Sequence, residues 1–388
     1  MGFETKAWLV LPLLFLLANC LQKCVTGKSQ VPCLFIFGDS LSDSGNNNDL
    51  PTTAKSNYNP YGIDFPTGPT GRFTNGRTTI DIITQLLGFE DFIPPFANTS
   101  GSDILKGVNY ASGSAGIRNE SGTHLGVCIS LGSQLTNHKV IVSQIATRFG
   151  NRENAQQYLN RCLYYVSIGS NDYINNYFLP QFYPTSSIYS PEQYAEALIE
   201  ELSLNLLDLH DIGARKYVLV GLGRLGCTPK AIYTTGNGSC AEEENAAAVI
   251  FNAKLKSLVE LFNNKLSTIS KFIFINSTSI DRENSLVMAW MISVSGISVT
   301  DAACCRTTLH GECIPDERPC YNRNEYVFWD DFHPTEAWNL HTAMKSYDTS
   351  SNQAFTHPLD IKNLVLEKDL KKESEFINGI TSQLSAPA

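Results

Sequence analysis

Near the start of the chain an apolar run, VPCLFIF, stops at Gly38-Asp39-Ser40 and gives way to the polar, glycine-broken turn LSDSGNNN. A serine hydroxyl is a weak nucleophile at neutral pH; it needs a base to take its proton and an acid to orient that base. Near the other end, FWDDFHPTEAWN supplies both residue types, Asp330 and His333. A spacing of three on a helical turn puts carboxylate and imidazole on one face. An oxyanion formed at the serine would need N–H donors. The candidates are the backbone N–H groups of Ser40 and of Gly113, the latter in GVNYASGSAGI, and the side-chain amide of Asn171 in IGSNDY. Each piece alone has an ordinary reading. Asp and Ser after a strand are common turn residues, a glycine-rich stretch can be a flexible loop, and Asp-x-x-His can be a capped surface turn. Jointly they make one proposal, acyl transfer through Ser40.

Other chemistries fit less well. DSLSDSG fails as a calcium loop, because its third position is Leu41, its sixth is Ser44 and its twelfth is Leu50. Cys304, Cys305, Cys313 and Cys320 cluster, yet two are adjacent and no histidine has ligand spacing to them, so disulfides are expected there and zinc is not. No metal or organic cofactor is implied. The net charge of −9, with Lys and Arg scattered, argues against a nucleic-acid partner.

The elements that must hold these residues follow from the pattern of the chain. Residues 33–37, 162–168, 216–222 and 272–276 are short, apolar and bounded by turn residues, as buried strands are. Between them, residues 78–87, 190–213 and 242–267 show helical spacing, the second with a Ser190-Pro191-x-Gln193 capping start, and a further helix is expected over 285–293. Residues 49–73, rich in Pro, Gly, Asn and Thr, read as a long functional loop, and 107–117 as a turn approaching a ligand. Alternating strands and helices predict a mostly parallel sheet with helices on both faces.

Residues 1–27 carry Lys6, the apolar run 7–18 and then small or polar residues, which reads as a signal peptide; the run is shorter than the roughly 20 residues a spanning helix needs. A soluble, exported protein is therefore expected, with residues 28–358 as the hydrolase domain and 359–388 as a peripheral helix or tail. Sequons at Asn98, Asn119, Asn237 and Asn276 and nine cysteines beyond Cys20 and Cys24 agree with export. Nine is odd, so at least one thiol stays unpaired or pairs between chains.

The chain resembles the plant-type GDSL esterase/lipases of the SGNH hydrolase superfamily. The resemblance rests on FGDSLSDSGNN, GVNYASGSAGI, IGSNDY, VGLGRLGCTP and WDDFHPTEAWN, in that order across nearly all of the chain after residue 27. It implies a three-layer α/β/α sandwich with a flavodoxin-like sheet, and catalysis by Ser40, Gly113, Asn171, Asp330 and His333. Gly223-Arg224, where relatives often carry prolines, and RTTLHGE after Cys305 depart from the pattern and bear on substrate preference. No Gly-x-Ser-x-Gly elbow occurs, which disfavours the α/β-hydrolase architecture. The expected activity is hydrolysis of a small-molecule or polymer-borne ester, whether an acyl lipid, an acetylated sugar or a phenolic ester, by a secreted or vacuolar enzyme. The alternatives are an acyltransferase using the same acyl-serine and a secreted binding protein without turnover.

Overall fold

The computed structural model describes residues 28–279, 296–349 and 354–367. The leader read over 1–27, the helix expected over 285–293 and the chain from 368 onward lie outside the described residues. The strands are β1 (Leu34–Gly38), β2 (Gly107–Asn109), β3 (Leu163–Ser167), β4 (Lys216–Val220), β5 (Lys271–Ile275), β6 (Val299–Ala303), β7 (Tyr326–Phe328) and β8 (Thr356–His357). Six of them form one sheet in the order β2-β1-β3-β4-β5-β8, parallel except for β8, while β6 and β7 pair separately.

Each central strand is buried on both faces, which is why it reads in sequence as a continuous apolar run. Phe35, Phe37, Tyr164, Val166, Tyr217, Leu219, Phe272 and Phe274 share one core with Leu135 and Ile141, Leu198 and Leu202, and Phe251 and Leu255. Those partners come from the helices Leu131–Arg148, Pro191–Asp211 and Glu242–Lys265. Leu34, Ile36, Leu163, Tyr165, Val218 and Ile273 face the other core, with Ile80 and Ile83, Ala343, and Ile361 and Leu364. These lie on Thr79–Leu86, Glu336–Tyr347 and Ile361–Leu366. Helices thus cover both faces, and the expected three-layer sandwich with a flavodoxin-like sheet is the fold.

The order 2-1-3-4-5 places a topological switch point between β1 and β3, and ligands in such sheets bind beyond the carboxyl ends of the strands at that point. Ser40 lies two residues past β1, and Asn171 four residues past β3.

Two local readings change. Residues 107–109, read as loop, are the edge strand β2, paired to Leu34, Phe35 and Ile36. Three residues opening on a glycine carry too little strand propensity to be seen. The glycine is nonetheless required: Gly107 has φ +125°, and a Cβ there would lie 1.9 Å from the Leu34 carbonyl oxygen. The helix Leu131–Arg148 also escaped notice, because Gln134 and His138 interrupt its buried stripe of Leu131, Leu135, Ile141 and Ile145. At the end of the described chain, Ile361 and Leu364 are fully buried, so the helix they occupy packs into the second core.

Eight cysteines pair as Cys33–Cys162, Cys227–Cys240, Cys304–Cys320 and Cys305–Cys313, leaving Cys128 free among the described residues. The expected disulfides are present in the Cys304–Cys320 cluster. Among the described residues no helix is long and apolar enough to cross a membrane.

Candidate active site

The loops at the carboxyl ends of the strands bring Ser40, His333 and Asp330 into one line. Ser40 Oγ lies 2.8 Å from His333 Nε2, and His333 Nδ1 lies 2.7 Å from Asp330 Oδ2. Asp330 is fully buried and His333 nearly so, while Ser40 is partly open to solvent. Burial works to lower the imidazole pKa, but the Asp330 charge and hydrogen bond outweigh it and hold His333 above its ordinary 6.5.

The Asp330–His333 pair is not on a helical turn, as its spacing had implied. His333 precedes Pro334, and a residue before proline is pushed out of the α region. The helix begins only at Glu336, with Thr335 as its N-cap. A side-chain turn replaces it: Asp330 Oδ1 accepts the backbone N–H groups of Phe332 at 2.9 Å and His333 at 2.7 Å. The acid therefore fixes its own loop as well as the imidazole.

Ser40 is held from below. Gln134 brackets Gly38, accepting from its N–H at 2.9 Å and donating to its carbonyl at 2.8 Å. Asp39, adjacent to the serine, accepts from the Leu41 N–H at 3.0 Å, and its carbonyl accepts from Ser42 and Asp43. Its role is to shape the turn, and burial pushes its carboxyl up to about 7. Asp43 caps the next bend through Gly45 at 2.7 Å and Asn46 at 2.8 Å. Asn46 and Asn47 then bind the 109–113 backbone, through Asn109 and Ala111 carbonyls and the Gly113 carbonyl respectively. The polar run after Ser40 is thus a clamp joining the loops that follow β1 and β2.

The structure differs from the sequence reading at Gly113. Its N–H donates to Asp43 Oδ2 at 2.9 Å and is not free for an oxyanion. The glycine is needed for space, since a Cβ would lie 2.7 Å from both Asn47 Nδ2 and Phe73 Cζ. Asn171 is oriented on both sides: Asn175 Nδ2 donates to its Oδ1 at 2.6 Å, and its own Nδ2 donates to the Ala115 carbonyl at 2.9 Å, leaving a second N–H. No described residue accepts the Ser40 N–H. Asp172 secures the same loop by accepting from Ile117, Arg118 and Ser121.

Sequence reasoning did not find Tyr61, Phe73, Gln134 or Asn175. Tyr61 donates to Asp330 Oδ2 at 2.6 Å, and the Phe73 ring lies over the His333 ring with centroids 4.9 Å apart. Both come from the long loop that had been read as functional from its length. Thr74 Oγ1 donates to the Pro334 carbonyl at 2.8 Å, and Arg77 binds Glu336, so the end of that loop is tied to the histidine loop. Outside the triad, a groove of about 870 Å³ lies beside Asp331, lined also by Lys230, Tyr233, Thr308 and Leu309. Two of the sequence departures flank it: Gly223-Arg224 precedes its Pro229–Thr235 wall, and RTTLHGE supplies Thr307, Thr308 and Leu309.

A Ser–His–Asp line at the switch point of a 2-1-3-4-5 sheet, its acid and base buried and its serine partly open, belongs to the class of carboxylic ester hydrolases. Residues 34–345 match the family model described as GDSL-like lipase/acylhydrolase, and the chain belongs to that family. A GDSL esterase/lipase of Arabidopsis thaliana is 49% identical over 87% of this chain and 92% of its own. A second from the same plant is 47% identical over 87% and 93%. A solved extracellular lipase of Streptomyces rimosus aligns more loosely, at 16% identity and a TM-score of 0.32, over 80% of this chain and 98% of its own.

Proposed function

We propose that this chain is a secreted serine hydrolase that cleaves carboxylic esters through an acyl-Ser40 intermediate. The observation that carries this reading is the pair of contacts at 2.8 Å and 2.7 Å linking Ser40, His333 and Asp330. His333 Nε2 takes the Ser40 proton as Oγ attacks the ester carbonyl, while Asp330 holds the Nδ1–H and stabilises the imidazolium that forms. The carbonyl oxygen becomes an oxyanion, stabilised by the Ser40 N–H and the free N–H of Asn171. Gly113, whose N–H is held by Asp43, lets Phe73 and Asn47 approach closely. His333 then returns the proton to the departing alcohol, giving the acyl-serine, and activates water to release the acid.

Loss of an oxyanion donor costs roughly 3 to 4 kcal/mol of transition-state stabilisation. Asn171→Ala is accordingly expected to lower kcat by about 10² to 10³ with KM little changed, read from initial rates on p-nitrophenyl acetate. An unchanged kcat would remove Asn171 from the site.

Export is supported by the 1–27 leader pattern, by the four disulfides, and by the sequons, of which Asn98, Asn119 and Asn237 are exposed and Asn276 is half-buried. We read all four as glycan positions. The substrate class is an acyl lipid, an acetylated sugar or a phenolic ester, with the groove beside Asp331 available to a larger part of it. The test is turnover by the purified protein of p-nitrophenyl esters of rising chain length, set beside acetylated xylan. Release of p-nitrophenol or acetate supports the reading, and no turnover of any of them contradicts it.

A further inference from the structure

The outer oxygen of Asp330 serves two donors at once. Oδ2 lies 2.7 Å from His333 Nδ1 and accepts from Tyr61 Oη at 2.6 Å. Tyr61 is fully buried, and its Oη in turn accepts the Cys313 N–H at 3.1 Å. Cys313 is bonded to Cys305, so a disulfide-closed loop holds that N–H in place. Tyr58 stands edge-on to Tyr61 and donates to the Cys313 carbonyl at 2.9 Å, touching the same loop without reaching the carboxylate.

We propose that Tyr61 is a positioning residue for ester hydrolysis, its phenol proton drawing charge from Oδ2, the nearer to His333 Nδ1 of the two Asp330 oxygens at 2.7 Å and 2.9 Å, and so limiting how tightly the imidazolium is held. This rests on the serine-hydrolase reading above. Two donors on one carboxylate oxygen compete for its charge, and a hydrogen bond to the charged form of an acid stabilises that form. Burial drives the Tyr61 phenol well above its ordinary 10, so it stays protonated and remains a donor across the working range. Without that proton, the undivided charge faces the imidazolium, which then releases its proton only at higher pH. The other groups facing the pair are Asp39 and Glu312 towards His333, and Asp331 and Tyr58 towards Asp330. A change at Tyr61 leaves all four in place.

The test is the pH dependence of kcat/KM on p-nitrophenyl acetate for the wild type, Tyr61→Phe and Tyr58→Phe, with thermal melts of each. The acidic limb, where the base becomes neutral, is expected to move up by about half a pH unit or more in Tyr61→Phe. Tyr58→Phe loses its bond to the same loop while the Tyr61–Asp330 bond stays, so its limb is expected to move clearly less than that of Tyr61→Phe even if its melting temperature falls. An unmoved limb in Tyr61→Phe, or an equal shift in both variants, overturns the proposal. Should Tyr61→Phe not fold, 3-fluorotyrosine at position 61, isosteric and a stronger donor, is expected to move the limb down, and no movement overturns the proposal equally. A wild type that shows no turnover at all would instead contradict the serine-hydrolase reading itself.

Discussion

Ser40→Ala is expected to lower kcat by about 10⁶ while leaving the melting temperature within a degree or two of the wild type. The size follows from the chemistry: with the hydroxyl gone there is nothing for His333 to activate, so only substrate binding and the oxyanion donors remain to accelerate the reaction. The small effect on stability follows from position. Ser40 is partly exposed, and among the described residues its side chain bonds only to His333. Rates on a p-nitrophenyl ester, measured beside a thermal melt, separate the two. A loss of less than about tenfold would place the nucleophile elsewhere.

Asp330→Asn is expected to lower kcat by about 10⁴. Asp330 Oδ1 accepts two backbone N–H groups, from Phe332 and His333, so an asparagine keeps its turn only by leaving its oxygen on that side. Its amide NH₂ then faces His333 Nδ1 at the nearer contact, where the aspartate presents Oδ2 at 2.7 Å, and the only acceptor left to Nδ1 is Oδ1 at 2.9 Å, which already takes two backbone N–H groups. An N–H aimed at Nδ1 favours the opposite tautomer, with the proton on Nε2, and in that tautomer the nitrogen cannot accept from Ser40. The same NH₂ also meets Tyr61 Oη, which keeps its bond to the Cys313 N–H as acceptor and would have to turn its own proton away. The backbone turn survives, so the variant is expected to fold and to lose activity at every pH. A wild-type rate near neutrality would contradict the role given to Asp330.

The contrast between Ser40 and Tyr61 shows how much was legible beforehand. Ser40, Asp330 and His333 sit in short segments whose residue types state their chemistry, and the strand ending at Gly38 could be read from its apolar run. A mostly parallel sheet with helices on both faces was equally accessible from the alternation of strands and helices, while the flavodoxin-like arrangement came with the family resemblance. Tyr61 carries no such signal. It lies in a loop without periodicity, and its partners Asp330 and Cys313 are 269 and 252 positions away. Only the folded chain brings them together. Gly113 illustrates a different limit. Its residue type announced a need for small size, which the close approach of Phe73 and Asn47 accounts for, but the direction of its N–H depends on Asp43, seventy residues earlier. The helix Leu131–Arg148 was hidden because Gln134, which brackets Gly38, occupies its core-facing stripe. There a polar residue serving the site blurred the pattern that would have revealed the element.

In this mechanism Ser40 is the residue that carries the acyl group. The measurement that addresses this most directly is labelling of the purified protein with a fluorophosphonate, followed by proteolysis and mass mapping of the adduct. One adduct is expected, on Ser40, absent from Ser40→Ala and much slower to form in His333→Ala. A label on any other residue, or equal labelling of Ser40→Ala, would contradict the mechanism.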